Sequence, residues 1–224
     1  RSTAYQYENI FELRQGVKAG KGKAKVSTGL PELGSIREDL FWFSSSLVFD
    51  TLNSNSLPTE GAFVNISVDT YRKEIGNDEN YAVAGGVARQ YFTFAKRHTV
   101  FGELRAGGTS NKTPYYLFFY TGGFNTFPGF KEEELSGRYM GIAQAGYYYH
   151  VLDLPAFFGK SAYLGGWANA GNTWETYRDF REFDLLYSGT FGLALDTRIG
   201  PVYLVMSKAN RRRPIVYVGV GNDF

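Results

Sequence analysis

The sequence contains no cysteine and only two histidines, and each shortage excludes particular kinds of bond or site. Without thiols the chain forms no disulfides, performs no thiolate catalysis and holds no cysteine-based zinc site. Two isolated histidines do not supply a transition-metal site, so we expect neither a metal nor another cofactor. The net charge is only +2, which is too small to indicate nucleic acid as a partner.

Long hydrophobic runs are also missing, since none approaches the ~18 residues that a membrane-spanning helix needs. A β-barrel is still compatible with this shortage, because every second residue of a barrel strand faces the lumen and can be polar. The chain is instead rich in aromatic residues, at 17%, and contains 27 glycines. It starts at Arg1, so we expect either a removed signal peptide or a fragment of a longer protein.

Alternation of apolar and polar residues is the dominant pattern. In the stretch 62–70, apolar Val64, Ile66 and Val68 alternate with polar side chains. A period of two predicts a sheet with one apolar and one polar face. The eleven predicted strands are 5–18, 22–33, 39–52, 60–73, 79–93, 98–108, 136–152, 160–173, 187–198, 200–208 and 214–224. The turn at 18–23, between the first two, is weak. If it does not form, these two strands merge and the count is ten, whereas one missed strand would make the count twelve.

Strand length and connection length favour a membrane protein. Most predicted strands have ten or more residues, against ~5–6 in soluble proteins and ~9–11 in tilted transmembrane strands. Short and long connections alternate, as do periplasmic turns and outer loops. Aromatic residues such as Phe92, Phe94, Phe157, Phe158, Tyr148 and Trp174 fall near strand ends, as in an interfacial girdle. We therefore predict an all-β, antiparallel transmembrane β-barrel of about 10–12 strands in one domain, 1–224, with a soluble β-sandwich as the alternative.

Two stretches are more specific than alternation. The first is Y-T-G-G-F-N-T-F-P-G-F-K-E-E-E-L-S-G-R-Y-M (120–140), and the second is D-T-R-I-G-P-V-Y-L (196–204) with the terminal V-G-N-D-F. They resemble motifs of the bacterial surface antigen (BamA-type) superfamily of outer-membrane barrels. In the family, the first motif is a Gly-Gly pair followed by an aliphatic-Arg-Gly-aromatic tetrad, and the second is a closing hairpin that ends in Gly-x-x-Phe. The tetrad of this chain is Phe127-Pro128-Gly129-Phe130. The matching residues are Gly122, Gly123, Phe127, Pro128, Gly129, Phe130, Gly221 and Phe224.

Within that superfamily, the chain is most similar to the C-terminal barrel of patatin-like (type Vd) autotransporters. The likeness runs from about residue 40 to residue 224 and rests on 50–61, 75–81, 163–174 and 200–204. It implies a barrel in the outer membrane of a Gram-negative bacterium that anchors a secreted patatin-like passenger or helps it across. It also implies that this chain is not an enzyme, since the phospholipase domain would lie upstream, and that it could be part of a 16-strand barrel.

The resemblance further implies that a long loop, 109–135, folds into the lumen and packs its tetrad on the inner wall. In the family the tetrad arginine pairs with acidic residues of the following strands. Here Pro128 occupies the arginine position, and Gly146 and Asn169 lie where the acidic residues are expected, unless the register is off by one or two. We expect Arg105 and Arg138 on the wall that faces the loop, near the acidic run 132–134.

The expected partners follow from this interpretation: the lipid bilayer, the outer-membrane assembly machinery that would recognise Phe224, a passenger domain and a second copy in a homo-oligomer. Lipopolysaccharide is a further expected partner, through the arginines at 211–213, which also fit a simple solvated turn. The alternative function is a stand-alone small pore or a lipid-active barrel. A lipid-active barrel lacks an evident active site, because G-G-T-S-N-K (107–112) does not complete a Gly-x-Ser-x-Gly elbow.

Overall fold

The structure, a computed structural model, describes residues 15–26, 36–176, 179, 184–210 and 212–221, and describes side chains from residue 41 onward, residue 75 excepted. Ten of its strands form one antiparallel sheet in the order β1-β2-β3-β4-β5-β8-β9-β10-β11-β12, and β6 pairs with β7 separately. The strands are β1 Gln15–Val26, β2 Ile36–Asp50, β3 Gly61–Tyr71, β4 Tyr81–Phe94, β5 His98–Thr109, β6 Phe119–Thr121, β7 Leu135–Gly137, β8 Tyr139–Asp153, β9 Gly159–Trp174, β10 Leu186–Thr197, β11 Gly200–Ala209 and β12 Ile215–Val220.

The all-β, antiparallel, barrel-type fold predicted from alternation is confirmed, with ten strands in the main sheet. Of the two alternatives for 18–23, a turn or a merged strand, the merged strand is the one observed, because β1 continues through these residues and pairs along its whole length with β2. The outer parts of the first two predicted strands, 5–14 and 27–33, lie outside the described residues. No ladder joins β1 to β12 in the described part of the chain, so the ten strands form an open arc rather than a closed ring.

The two faces of the sheet differ sharply in chemistry. On the outer face, large apolar side chains are exposed, such as Leu104 at 63% and Val218 at 72%. Their inward neighbours are polar or aromatic, and Glu103 is only 8% exposed. The period of two along each strand produces this separation, and an apolar outer band with a polar interior is the pattern of a transmembrane barrel. Within the described residues, no helix has the length and apolarity needed to span a membrane.

The connections differ at the two ends of the sheet. One end, which we call the short-turn end, carries the connections 51–60, 95–97, 154–158 and 198–199. The other, which we call the long-connection end, carries 72–80, 110–138, 175–185 and 210–214, and among these are the two longest, 110–138 and 175–185. Phe92, Phe94, Phe157 and Phe158 are exposed at the short-turn end. Two members of the predicted girdle are placed differently, because Trp174 is buried and Tyr148 lies on the inner face with Phe101.

Two clusters of buried apolar residues lie between the sheet and the connection 110–138, which we call the inner loop. One cluster joins Leu117 of this loop to Tyr71 and Tyr81 of β3 and β4. The other joins Phe127 and Phe130 of the loop to wall residues Ile142 and Ala209. Because the loop contacts both the early and the late strands, the sheet curves around it.

Candidate functional site

The inner loop first contacts the wall formed by β3, β4 and β5. Leu117, in a single 3₁₀ turn, packs against Tyr71 and Tyr81, whose rings stack with centroids 4.6 Å apart. Phe119 then fills the space above two inward glycines, Gly85 and Gly107. A Cβ at Gly107 would lie 2.4 Å from the Phe119 ring. We call this contact the first docking point, because only a residue without a side chain leaves room there for the ring.

Beyond Phe119 the loop forms a compact hairpin. β6 and β7 pair, and Gly123 N donates to Phe130 O at 3.1 Å. The Thr126 hydroxyl accepts from Gly122 N at 2.8 Å and donates to Gly122 O at 2.6 Å. Gly122 has φ +125°, and a Cβ there would lie 2.1 Å from the carbonyl oxygen of Lys131. A side chain is therefore excluded at Gly122, the first glycine of the predicted Gly-Gly pair.

The tetrad lies against the opposite wall, at what we call the second docking point. Phe127 is 0% and Phe130 2% exposed, and their rings meet edge to face with centroids 5.0 Å apart. They pack on Ile142 of β8 and Ala209 of β11. Gly129 has φ +96°, and a Cβ there would lie 2.7 Å from Ala209 N. The loop backbone therefore rests directly on the backbone of β11.

Tyr217 of β12 links the tetrad to the edge of the sheet. Its hydroxyl accepts from Gly129 N at 3.0 Å and donates to Phe130 O at 3.2 Å. Phe124 of the loop stacks on Tyr203 with ring centroids 4.3 Å apart and planes 9° apart, and its ring centroid lies 5.6 Å from that of Tyr217. The second docking point is thus built from aromatic packing and one bridging hydroxyl.

The charge pairing of the loop comes from outside the tetrad. Arg212, in the connection 210–214, pairs with Glu134 at 2.6 Å, and its guanidinium lies 5.7 Å from the centroid of the Phe130 ring. Pro128, at the position of the family's arginine, is fully buried. The cation that holds this loop therefore approaches from the neighbouring outer connection.

The two wall positions where acidic residues are expected lie in different surroundings. A Cβ at Gly146 would lie 2.4 Å from the Phe101 ring, so this position is occupied by wall side chains and not by the tetrad. Asn169 is 2% exposed, and its Nδ2 donates to Ser188 Oγ at 3.2 Å. Asn169 pairs with Ser188 and Ser188 with Ala209, which places Asn169 in the same rung of the sheet as the residue under the tetrad.

The arginines expected to face the acidic run of the loop have other partners. Arg89 and Arg105 both form ion pairs with the buried Glu103 of β5. Arg138 donates to the carbonyl of Ser110 at 3.1 Å and also to that of Asn111, and lies over the Phe118 ring. Arg105 and Arg138, which were expected near residues 132–134, therefore bind elsewhere, and the inner wall supplies its own carboxylate for Arg105.

At the long-connection end, Glu79 joins two connections by pairing with a lysine from each. Glu79 contacts Lys112 at 3.1 Å and Lys73 at 3.2 Å. The hydrogen bond from Lys112, and then that from Lys73, lowers the pKa of the Glu79 carboxyl. We call these three residues the outer bridge, because they tie the connection 72–80 to the start of the inner loop.

Several contact residues are absent from the sequence-based prediction. Phe119, Phe124, Tyr217 and Arg212 were not expected to hold the loop. For Tyr217 a signal existed, because strict alternation in I-V-Y-V-G-V places this side chain on the inner face. Gly221 has φ +121°, and its N donates to Pro201 O at 2.9 Å, whereas Phe224 lies outside the described residues. Within the described chain, no cluster of three or more His, Cys, Asp or Glu residues is arranged to hold a metal ion.

Comparison with known proteins relates this geometry to a family. The Omp85 superfamily domain matches residues 3–224. The crystal structure of BamA from Haemophilus ducreyi lacking POTRA domains 1–3 is similar in fold, with a TM-score of 0.66 and 15% sequence identity. The match covers 85% of this chain and 43% of that chain, so the present chain spans less than half of its length. Comparison with curated proteins found no match.

Proposed function

The chain belongs to the Omp85 superfamily, and we propose that it is a barrel of the Gram-negative outer membrane that anchors a passenger domain or assists its passage. The apolar outer face and the polar inner face support the membrane location. No catalytic role is assigned to this chain.

The observation that carries the proposal is the double docking of the inner loop. Phe119 rests on β4 and β5, and Phe127 and Phe130 rest on β8 and β11. A loop held on both walls obstructs the interior, which supports a plugged anchor or translocator barrel over the stand-alone open pore. In planar bilayers we expect low steady conductance from the complete protein. Large steady conductance would favour the pore.

The finer proposal is that the passenger is a patatin-like domain attached upstream. Its support is the resemblance of 50–61, 75–81, 163–174 and 200–204 to barrels of that class. An epitope placed before residue 1 should be cleaved by protease added to intact cells that make the complete chain. Deleting β11 and β12 should protect it. Protection of the epitope in cells with the complete chain would contradict the anchoring role.

The uncharged tetrad supports a barrel that anchors a passenger domain over one that actively inserts or moves other proteins. Pro128 and Asn169 carry no charge, and the nearest ion pair of the loop, Arg212 with Glu134, is half exposed. A buried carboxylate without a cation would be strongly destabilising, so simultaneous loss of both charges leaves the tetrad docked by aromatic packing and the Tyr217 hydroxyl, without a buried ion pair. We propose that this loop acts as a static plug in the barrel.

The remaining partners are proposals with their own tests. If Phe224 belongs to the signal read by the assembly machinery, deleting it should reduce insertion into the membrane while protein already inserted stays folded. Contact with lipopolysaccharide would rest on Arg213 and Lys208, which are exposed, because Arg212 is paired with Glu134. Analytical ultracentrifugation in detergent would test whether copies associate into a homo-oligomer.

A further inference from the structure

Two adjacent cations are held at the short-turn end by an unusual backbone. Lys96 and Arg97 lie in the turn between β4 and β5, and both are exposed. Ala95 and Lys96 have φ +48° and +64°. This hairpin loop has three residues, since Phe94 pairs with His98, and loop positions with positive φ normally use Gly, Asn or Asp. The turn therefore keeps a lysine at a position where a smaller residue would relieve backbone strain.

An aromatic surface lies directly beside these cations. The His98 ring stacks on Phe94 with centroids 5.2 Å apart, and its Nδ1 is 2.7 Å from Tyr147 Oη. Arg97 Nη1 donates to Tyr149 Oη at 3.4 Å. We call Phe94, His98, Tyr147 and Tyr149 the aromatic shelf. All four side chains are on the outer face of the sheet, so the shelf would face lipid.

The position of the turn is fixed relative to the shelf. His150 N donates to Arg97 O at 2.8 Å, which joins the turn to β8. The cations are therefore anchored beside the shelf by backbone as well as side-chain contacts. A loosely attached turn would not hold two charges at one height along the strands.

The positive charge of the turn is not neutralised by the protein. Among the residues that the structure describes, no carboxylate forms an ion pair with Lys96 or Arg97. Asp153 on β8 is the acid whose charge acts on Arg97, and its side chain is 83% exposed. Exposed cations next to apolar rings at a strand end match an anionic headgroup whose acyl chain lies along the outer face.

We propose that the 95–97 turn and the aromatic shelf bind the phosphate of an anionic phospholipid in the leaflet at the short-turn end. Lys96 and Arg97 would contact the phosphate oxygens, since guanidinium and ammonium groups both suit phosphate. The acyl chain would lie on the shelf. This inference rests on the proposed membrane location of the barrel.

The test uses the full chain in vesicles of phosphatidylcholine alone or mixed with phosphatidylglycerol, followed by native mass spectrometry of the lipids that stay bound. We expect phosphatidylglycerol to be retained selectively, and Lys96→Gln or Arg97→Gln to weaken its binding about fivefold each. Asp153→Asn should strengthen it. Lys112→Gln is the matched control, because Lys112 is an exposed cation at the opposite end, 68% exposed.

The possible outcomes separate this inference from the proposed function. Failure of the protein to insert into either vesicle would contradict the membrane location itself. Insertion without preference for phosphatidylglycerol, or an equal loss in the Lys112→Gln control, would overturn the lipid site alone. Arg97→Lys keeps the charge and should retain binding, which excludes misfolding as the cause of a loss.

Discussion

Removing one hydroxyl at the second docking point should release the tetrad from the sheet edge. Tyr217→Phe keeps the ring that contacts Phe124 but removes the acceptor for Gly129 N and the donor to Phe130 O. Phe130 O keeps the bond from Gly123 N at 3.1 Å. Only one backbone N–H is then left unpaired, and such a group costs about 1–3 kcal/mol. The undocked population should therefore rise by about 5–150-fold.

Amide hydrogen exchange of the protein in detergent measures this population directly. Exchange in the peptide containing the tetrad should accelerate by that factor in Tyr217→Phe, because exchange of a buried amide requires local opening. Peptides from β3 provide the internal reference and should exchange at the wild-type rate.

A second variant decides which interaction dominates. Arg212→Gln removes an ion pair whose partners are 49% and 21% exposed, and exposed pairs contribute only about 0–1 kcal/mol. Its effect on exchange should be smaller than that of Tyr217→Phe. The reasoning would be refuted by unchanged exchange in Tyr217→Phe, or by a larger effect of Arg212→Gln.

Three further predictions, made with four substitutions, have defined outcomes. Gly107→Ala should lower the thermal unfolding midpoint, because its methyl would lie 2.4 Å from the Phe119 ring, whereas Gly102→Ala, with its nearest atom at 3.9 Å, should not. Asn169→Asp should lower the denaturant midpoint at neutral pH, since it places a carboxylate where the side chain is 2% exposed, and acid should reverse the loss by protonation. The lowered pKa of Glu79 makes the outer bridge stabilising above the unfolded-state pKa and lost as pH falls through the folded one. Once exchange rates are corrected for the pH dependence of intrinsic amide exchange, the protection of 110–118 should therefore fall in acid in the wild type, and a Glu79→Gln variant whose protection fell equally would contradict this.

Local patterns were sufficient to predict the sheet. In β3 the alternation of Val64, Ile66 and Val68 with polar residues specifies which face is apolar, and the strand occupies Gly61–Tyr71 within the predicted 60–73. The period of two depends only on neighbouring residues, so it is readable from one sequence. The sequence left 18–23 open between a turn and a continuous strand because glycine in a strand is an ambiguous signal, and only the pairing with β2 decides for the continuous strand.

The contacts of the inner loop were much harder to predict. Resemblance to a family located the tetrad, but nothing in local spacing says which ring it meets. Phe124 and Tyr203 are far apart in sequence, and their stacking depends on how the sheet curves. Arg212 illustrates the same limit, since a charged residue in a turn is usually solvated and only the fold brings it to Glu134. The predicted contact between the acidic run 132–134 and the wall arginines does not form among the described residues. Glu103 lies directly opposite Arg89 on the next strand and is the carboxylate that Arg89 and Arg105 bind.

The unequal sequence distances of the two docking points imply an order of assembly. Phe119 meets glycines of β4 and β5, which precede it closely in the chain, whereas Gly129 meets Tyr217 across 88 residues. Closing a short segment costs less chain entropy than closing a long one. The loop would thus settle on the early strands first and present its aromatic side chains to the late ones. In that sequence of events it serves as the template against which the final hairpin is laid down.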